Sequence, residues 1–236
     1  MVEDLASHFS VTVQTIRRDL TELADAGKLD RVHGGAVLPS GVRNIGYEER
    51  QTLHESAKAA IAAACARHVP NGASLFLNIG TTTEAVARAL SEHRDLLVVT
   101  NNMNVARQLW GHADCKVVVT GGSLRVADGG LTGPLAEAAI RQYKLDFAII
   151  GCSALDEDGD LLDFDSAEVQ ASQAILTQAR HRILVADQTK FQRKAPARIT
   201  SMRDLDLVIA DAPLPDSLHH LCRTWDTTVE LAKTAT

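Results

Sequence analysis

Apolar positions follow two spacings along this chain, and the change falls near residue 40. In the first stretch Leu5, Ala6 and Phe9 share one side of a short segment, and Val13, Ile16, Leu20, Leu23 and Ala24 recur every three or four residues. That period predicts two amphipathic helices, over 3–9 and 13–26. Ser10-Val11-Thr12 forms the turn between them, with Thr12 placed to cap the second helix and Gly27 to stop it in the left-handed region. Short runs at 28–32 and 36–38 flank His33-Gly34-Gly35, which predicts a hairpin. Pro39-Ser40-Gly41 breaks the pattern and begins a linker.

From Tyr47 onward, helix-like and strand-like signals alternate. Helices are expected over 48–68, 82–91, 103–111, 134–143 and 166–180, and strands over 74–79, 96–99, 116–120, 146–150, 182–186, 205–210 and 228–231. Such alternation implies right-handed crossovers and a mostly parallel sheet covered by helices. The expected fold class is α/β, with a small helix-turn-helix domain over 1–43 and a larger α/β domain over 44–236.

Composition narrows the picture. Hydrophobic residues make up 45% of the chain but aromatics only 4%, so the core must be built from Ala, Val, Leu and Ile. The four cysteines are widely spaced with no CxxC, which argues against a zinc site or disulfide framework and for a reduced, cytoplasmic protein with no cofactor. No run approaches the ~18 apolar residues of a membrane span, and the N-terminus lacks a signal-peptide pattern. A net charge of −6 excludes a protein coated in nucleic acid but not a local DNA-reading face.

The second helix supplies such a face. Gln14, Thr15, Arg18 and Thr21 lie opposite its apolar stripe, with Arg17 at the edge. Gln can bond an adenine edge and Arg a guanine edge, each through two hydrogen bonds. Ser10, Thr12 and the helix N-terminus suit phosphates. Arg31 and His33 lie on the hairpin, where a wing would sit beside the helix. Residues 1–43 carry five Lys/Arg against six Asp/Glu, so phosphate attraction must come from local placement and from dimerisation.

Several strands of the larger domain end in small or polar residues: Gly80-Thr81-Thr82, Thr100-Asn101-Asn102, Gly121-Gly122 with Arg125 beyond, Gly151-Cys152-Ser153, and Asp187 to Lys190. Parallel strands bring such ends to one sheet edge, where ligands bind. A Gly-Thr-Thr turn opening a helix offers N–H groups and the positive dipole end to an anion, and Lys190 and Arg125 add charge. Asn101, Asn102, Asp163, Asp165 and Glu168 suit hydroxyl groups. A small phosphorylated polyol or sugar fits this set better than a nucleotide, because neither a P-loop nor a GxGxxG is present. Each turn taken alone also fits plain loop chemistry.

Val13-Gln-Thr-Ile-Arg-Arg-Asp-Leu20, Gly27-Lys-Leu and Arg31-Val-His-Gly-Gly-Ala36 resemble the helix-turn-helix and wing of DeoR-family repressors. Asn78-Ile-Gly-Thr-Thr, Val99-Thr-Asn-Asn102, Gly121-Gly-Ser-Leu-Arg125, Asp128-Gly-Gly and Asp187-Gln-Thr-Lys-Phe191 resemble that family's sensor. The resemblance implies operator DNA as a partner, a recognition helix over the Thr-Ile-Arg-Arg-Asp segment, and a sensor fold like that of ribose-5-phosphate isomerase. It also implies a phosphate held by Gly80 to Thr82 and Lys190, and a homodimer or homotetramer. Asn104-Val-Ala, Leu145-Asp-Phe, Gly151-Cys-Ser and Leu161-Leu-Asp-Phe-Asp165 are most similar to members that respond to glycerol 3-phosphate, implying that effector. Family members carry a further helix before the segment that begins here at Val2. The resemblance therefore implies a head lacking its first helix, with roughly 6–12 kcal/mol less gross burial. Two alternatives stay open: a phosphosugar isomerase using Asp163, Asp165 or Glu168 as base, and a truncated sensor that no longer binds DNA.

Overall fold

The computed structural model describes residues 2–25, 30–32, 35–37 and 46–233. The chain divides into two compact units, 1–44 and 45–236. In the first, helix α1 (Val2–His8) and helix α2 (Val13–Asp25) are followed by strands β1 (Asp30–Val32) and β2 (Gly35–Val37), paired antiparallel. Thr12 caps α2, its Oγ1 accepting from the Thr15 amide at 3.1 Å. Val2, Ala6 and Ile16 are buried together, with Leu5, Val13 and Leu20 against them.

Two expected members of that cluster stay outside it, Phe9 at 61% exposure and Leu23 at 40%. Phe9 falls beyond the end of α1 and meets His8 edge-on. A seven-residue helix spans about 10 Å, so α1 covers only the first turns of α2 and stops short of Leu23. The expected positions Ala26, Gly27, His33 and 38–43 lie outside the described residues.

The second unit begins with helices α3 (Tyr47–Thr52) and α4 (Glu55–Ala66). One helix was expected over 48–68, but the chain breaks at Leu53-His54, where His54 takes φ 54°. Lys58, only 5% exposed, fills the break: its ammonium donates to the carbonyls of Arg50 and Leu53. An unbroken helix would direct those carbonyls along its own axis. The chain continues through β3 (Ser74–Leu77), α5 (Thr81–Ala89), β4 (Leu96–Thr100), α6 (Met103–Leu109) and β5 (Cys115–Val119). Strands β6 (Ser123–Arg125) and β7 (Gly130–Thr132), helix α7 (Pro134–Ile140), and strands β8 (Leu145–Ile150), β9 (Ala154–Leu155) and β10 (Asp160–Asp163) follow. Helix α8 (Ser166–Thr177), strands β11 (Ala179–Ala186), β12 (Ala197–Ser201) and β13 (Leu207–Ala210), helix α9 (Asp216–Trp225) and β14 (Thr228–Leu231) complete it.

Seven strands form one sheet in the order β14-β13-β11-β8-β3-β4-β5, and every pairing within it is parallel. Residues of α4, α5 and α6 such as Ile61, Val86 and Val105 join one core cluster. Residues of α7, α8 and α9 such as Ile140, Ile175 and Leu218 join the other. Both cores are mainly aliphatic, as the scarcity of aromatics requires. From β3 the chain runs outward to β4 and β5, then returns to place β8 on the other side of β3. That reversal leaves a crevice between β3 and β8 at their C-terminal ends, the usual ligand position in such sheets.

Candidate functional site

Asn78, 1% exposed, braces the crevice by accepting from the Gly151 amide at 3.0 Å and reaching Ser172 at 3.3 Å. A small cavity of about 20 Å³ opens there. Ile79, Gly80, Thr81 and Thr82 reach it after β3, and Gly151, Cys152 and Ser153 after β8. Asp163 and Glu168 line it from β10 and α8, Val185 and Lys190 from β11 and the 3-10 turn that follows, and Arg50 from α3. Gly80 gives α5 no side-chain cap. The Thr83 hydroxyl donates to the carbonyls of Asn78 and Gly80, so it turns away from the first amides of the helix. Those amides are donors that a helix leaves unpaired.

Arg125 is the hub on one side. It grips Asp128 with two donors at 2.8 Å, Asp165 at 2.6 Å and Glu168 at 2.5 Å. Burial works against its charge, but Asp128 and Glu168 more than offset it and hold the guanidinium protonated. Burial, with the like charge of Asp163, pushes the Glu168 carboxyl up to about 8 against the pull of Arg125. Burial also opposes ionisation of Asp165, yet Arg125 and the Ala167 amide hold it below the usual carboxylate range. Lys190 is different. Burial pushes its ammonium down, Asp187 opposes that shift, and it makes no hydrogen bond or ion pair among the described residues. The Cys152 thiol is pushed up to about 12 by burial, so it stays neutral. Among the described residues no cluster of His, Cys, Asp and Glu could hold a metal.

Of the thirteen expected effector residues, Gly80, Thr81, Thr82, Asp163, Glu168 and Lys190 meet at the cavity, with Arg125 one bond behind Glu168 and Asp165 one bond behind Arg125. Thr100, Asn101, Asn102, Gly121 and Gly122 do not line it. Thr100 donates to the Leu77 carbonyl at 2.7 Å, and Asn101 to Leu131 at 3.1 Å. The Asn102 side chain caps α6 and donates to Glu84. Gly122, at φ 115°, lets two backbone segments pass, since a Cβ there would lie 2.6 Å from the Thr132 carbonyl. Sequence reasoning missed Arg50: Glu48-Glu49-Arg50 reads as a solvated helix face, and the partner Asp128 lies 78 positions away.

On α2, Gln14, Arg17 and Arg18 are exposed, and Thr15 and Thr21 are partly so. Ser10 and Thr12 are exposed in the turn before it, Ser10 at φ 55°. Arg31 lies on β1, and His33 falls outside the described residues. The helix pair with its hairpin and the switch-point cavity together describe a regulator that reads DNA and senses a small molecule.

Residues 1–42 match the DeoR-like helix-turn-helix domain and residues 53–212 the DeoR C-terminal sensor domain. The chain is 45% identical over 225 residues to the glycerol-3-phosphate regulon repressor of Escherichia coli (strain K12), covering 93% of this chain and 89% of that one. It therefore belongs to the DeoR family. Among solved structures, eIF2B delta from Chaetomium thermophilum aligns over 68% of this chain and 57% of its own, at 16% identity and a TM-score of 0.50. A D-ribose-5-phosphate isomerase in complex with phospho-erythronic acid aligns over 58% of this chain and 54% of its own, at 17% identity and a TM-score of 0.44. The chain is a transcriptional repressor with a DNA-binding head and an effector-sensing domain. It is a regulator and not an enzyme, which sets aside the isomerase alternative. No described helix is long and apolar enough to cross a membrane.

Proposed function

We propose that this repressor leaves its operator when a phosphorylated polyol, glycerol 3-phosphate, occupies the cavity between β3 and β8. Residues 1–43 are the DNA-binding domain and 44–236 the sensor, acting in the cytoplasm as a homodimer or homotetramer. Ser10, Thr12, Gln14, Thr15, Arg17, Arg18, Arg31 and His33 contact DNA. Lys190 and the Gly80–Thr82 turn hold the phosphate, while Asp163 and Glu168, backed by Arg125 and Asp165, take the hydroxyls.

The observation that carries this reading is Lys190, which lines the cavity beside the uncapped start of α5 with no ion-pair partner among the described residues. The name of the Escherichia coli relative supports the choice of effector. About 20 Å³ admits roughly one water, so an effector enters only as neighbouring side chains move. Binding then selects a different arrangement of the sensor. A ~100-fold preference of effector for the released state corresponds to about 2.7 kcal/mol of coupling.

A thermal-shift panel of glycerol 3-phosphate, common sugar phosphates, glycerol and inorganic phosphate tests the reading, followed by operator binding with each ligand. Glycerol 3-phosphate is expected to raise Tm selectively and to release the operator. Absence of any shift across the phosphorylated ligands, at millimolar concentration, refutes it.

A further inference from the structure

The cationic side of the cavity has more donors than acceptors. Lys58, Lys190 and Arg193 all lie within electrostatic reach of Asp187, and Arg50 lies within reach of those three cations. Asp187 is already engaged by the Thr189 amide and hydroxyl. Among the described residues, the single ion pair of Arg50 is with Asp128, at 3.4 Å. Arg125 already grips that carboxylate with two bonds at 2.8 Å. Arg50 thus holds the spare side of an occupied acid. Its Nε is buried without a hydrogen-bond partner among the described residues, and so is Nη1 of Arg193. Buried guanidinium N–H groups left unpaired are costly, and an anion in the cavity would satisfy that of Arg50, which lines it.

The position of Arg50 in the chain gives it a second property. It sits on α3, the first described element after residue 45. A second side-chain anchor of α3 is the Tyr47 hydroxyl, 2.9 Å from Glu84 and 2.8 Å from the Asn104 amide nitrogen. Glu84 belongs to α5, whose first residues line the cavity. These two side-chain contacts of α3 therefore lead to the place where the effector would bind.

We infer that Arg50 is a direct ligand of the effector's phosphate, and that by leaving Asp128 for that anion it carries occupancy of the cavity into α3. This rests on the effector reading above and adds to it a binding residue and a route. A guanidinium fork matches two phosphate oxygens, whereas an ammonium supplies a point charge. Arg50 and Lys190 together thus favour a phosphomonoester over a neutral polyol.

The test uses the full chain with glycerol 3-phosphate and inorganic phosphate. Calorimetry on the wild type, Arg50→Ala, Arg50→Lys and Lys190→Ala is combined with Tm and with hydrogen exchange over residues 47–52. Arg50→Ala is expected to weaken glycerol 3-phosphate binding at least tenfold, and Arg50→Lys about threefold, for want of the fork. Ligand is expected to slow exchange over 47–52 in the wild type and not in Arg50→Ala. Affinity within twofold of wild type in folded Arg50→Ala overturns the inference, as does unchanged exchange over 47–52 in liganded wild type. If Arg50→Ala fails to fold, Arg50→Lys decides, and wild-type affinity there overturns it. Binding lost in Lys190→Ala but kept in Arg50→Ala sinks this inference alone. A wild type that binds no phosphorylated ligand sinks the effector reading with it.

Discussion

Arg18 on the face of α2 and Arg125 beside the cavity carry the same guanidinium into opposite surroundings. Arg18 is 72% exposed and lies 3.4 Å from Asp19 and 3.7 Å from Glu22, acids that are themselves 48% and 73% exposed. Arg125 is 24% exposed and donates to three carboxylates, of which Asp128 and Glu168 are 6% and 11% exposed. In water such pairs are worth about 0–1 kcal/mol and are screened by salt. Away from water, each charge needs its partner, because an unpaired buried ion is several kcal/mol worse than a paired one. The exposed arginine can exchange its acids for a base edge at little cost. The buried one is committed to holding a frame. Pairing alone therefore does not separate a DNA-reading arginine from a structural one, and the exposure of both partners does. Arg50, as buried as Arg125, differs from it in having only a 3.4 Å ion pair and a buried Nε without a partner among the described residues.

The largest break in this comparison is Arg125→Ala. It leaves Asp128 with only the longer contact to Arg50 and takes the cation away from buried Glu168, so urea unfolding should show a loss of about 3–5 kcal/mol. A loss under about 1 kcal/mol would mean that water reaches these acids and that Arg125 is not a frame. Glu168 sharpens the point through pH. Its carboxyl rises from 4.5 to about 8 in the folded chain, so the native state keeps a proton that the unfolded state has released. The stability from this group is present below the unfolded value and is lost as pH rises from 4.5 toward 8. Glu168→Gln cannot titrate. Wild-type stability minus variant stability should therefore fall steadily across that window, and a flat difference would show that Arg125 keeps Glu168 ionised. Asp165 and Asp187, held low, lose their contribution only in more acid solution.

Lys190→Ala comes next, because it removes a cation without an ion-pair partner among the described residues. Effector affinity should drop by about 1.5–3 kcal/mol, the range for hydrogen bonds to charged groups. Unfolding free energy should stay within about 0.5 kcal/mol of wild type. Calorimetry showing unchanged affinity would break the assignment, and a large loss of stability would place Lys190 with Arg125 in the frame.

These contrasts also explain what could be read from the chain alone. Alternation of helix and strand signals anticipated the seven parallel strands, because each except β14 carries a run of three or more apolar residues. Short pieces escaped: β9 has two residues and β6 and β7 three each, too few for any period. Strand ends rich in Gly and Thr pointed to Gly80–Thr82 and Gly151 because a parallel sheet gathers such ends at one edge. The same rule brought in Thr100 and Asn102, whose polar atoms instead tie strand ends together and cap α6. Asn donates and accepts equally well in either role. Arg50 was invisible because its place depends on a helix break held by Lys58 and on the distant Asp128. Neither leaves a periodic trace.

The smallest expected effect on stability belongs to Arg18→Ala. Its acids are hydrated whether or not the arginine is present, and each pair is long, at 3.4 and 3.7 Å. Helix propensity hardly changes, since Ala and Arg are both good helix formers. The unfolding free energy should therefore move by no more than about 0.5 kcal/mol. Operator binding should respond differently. If Arg18 reads a guanine, the ratio of specific to non-specific affinity should fall by about 1–3 kcal/mol. Non-specific binding should lose much less, because phosphate contacts from the rest of the head remain. A variant that loses specific and non-specific binding equally would make Arg18 a phosphate contact. One that loses stability instead would show that its pairs with Asp19 and Glu22 hold α2 together, and the contrast with Arg125 would disappear.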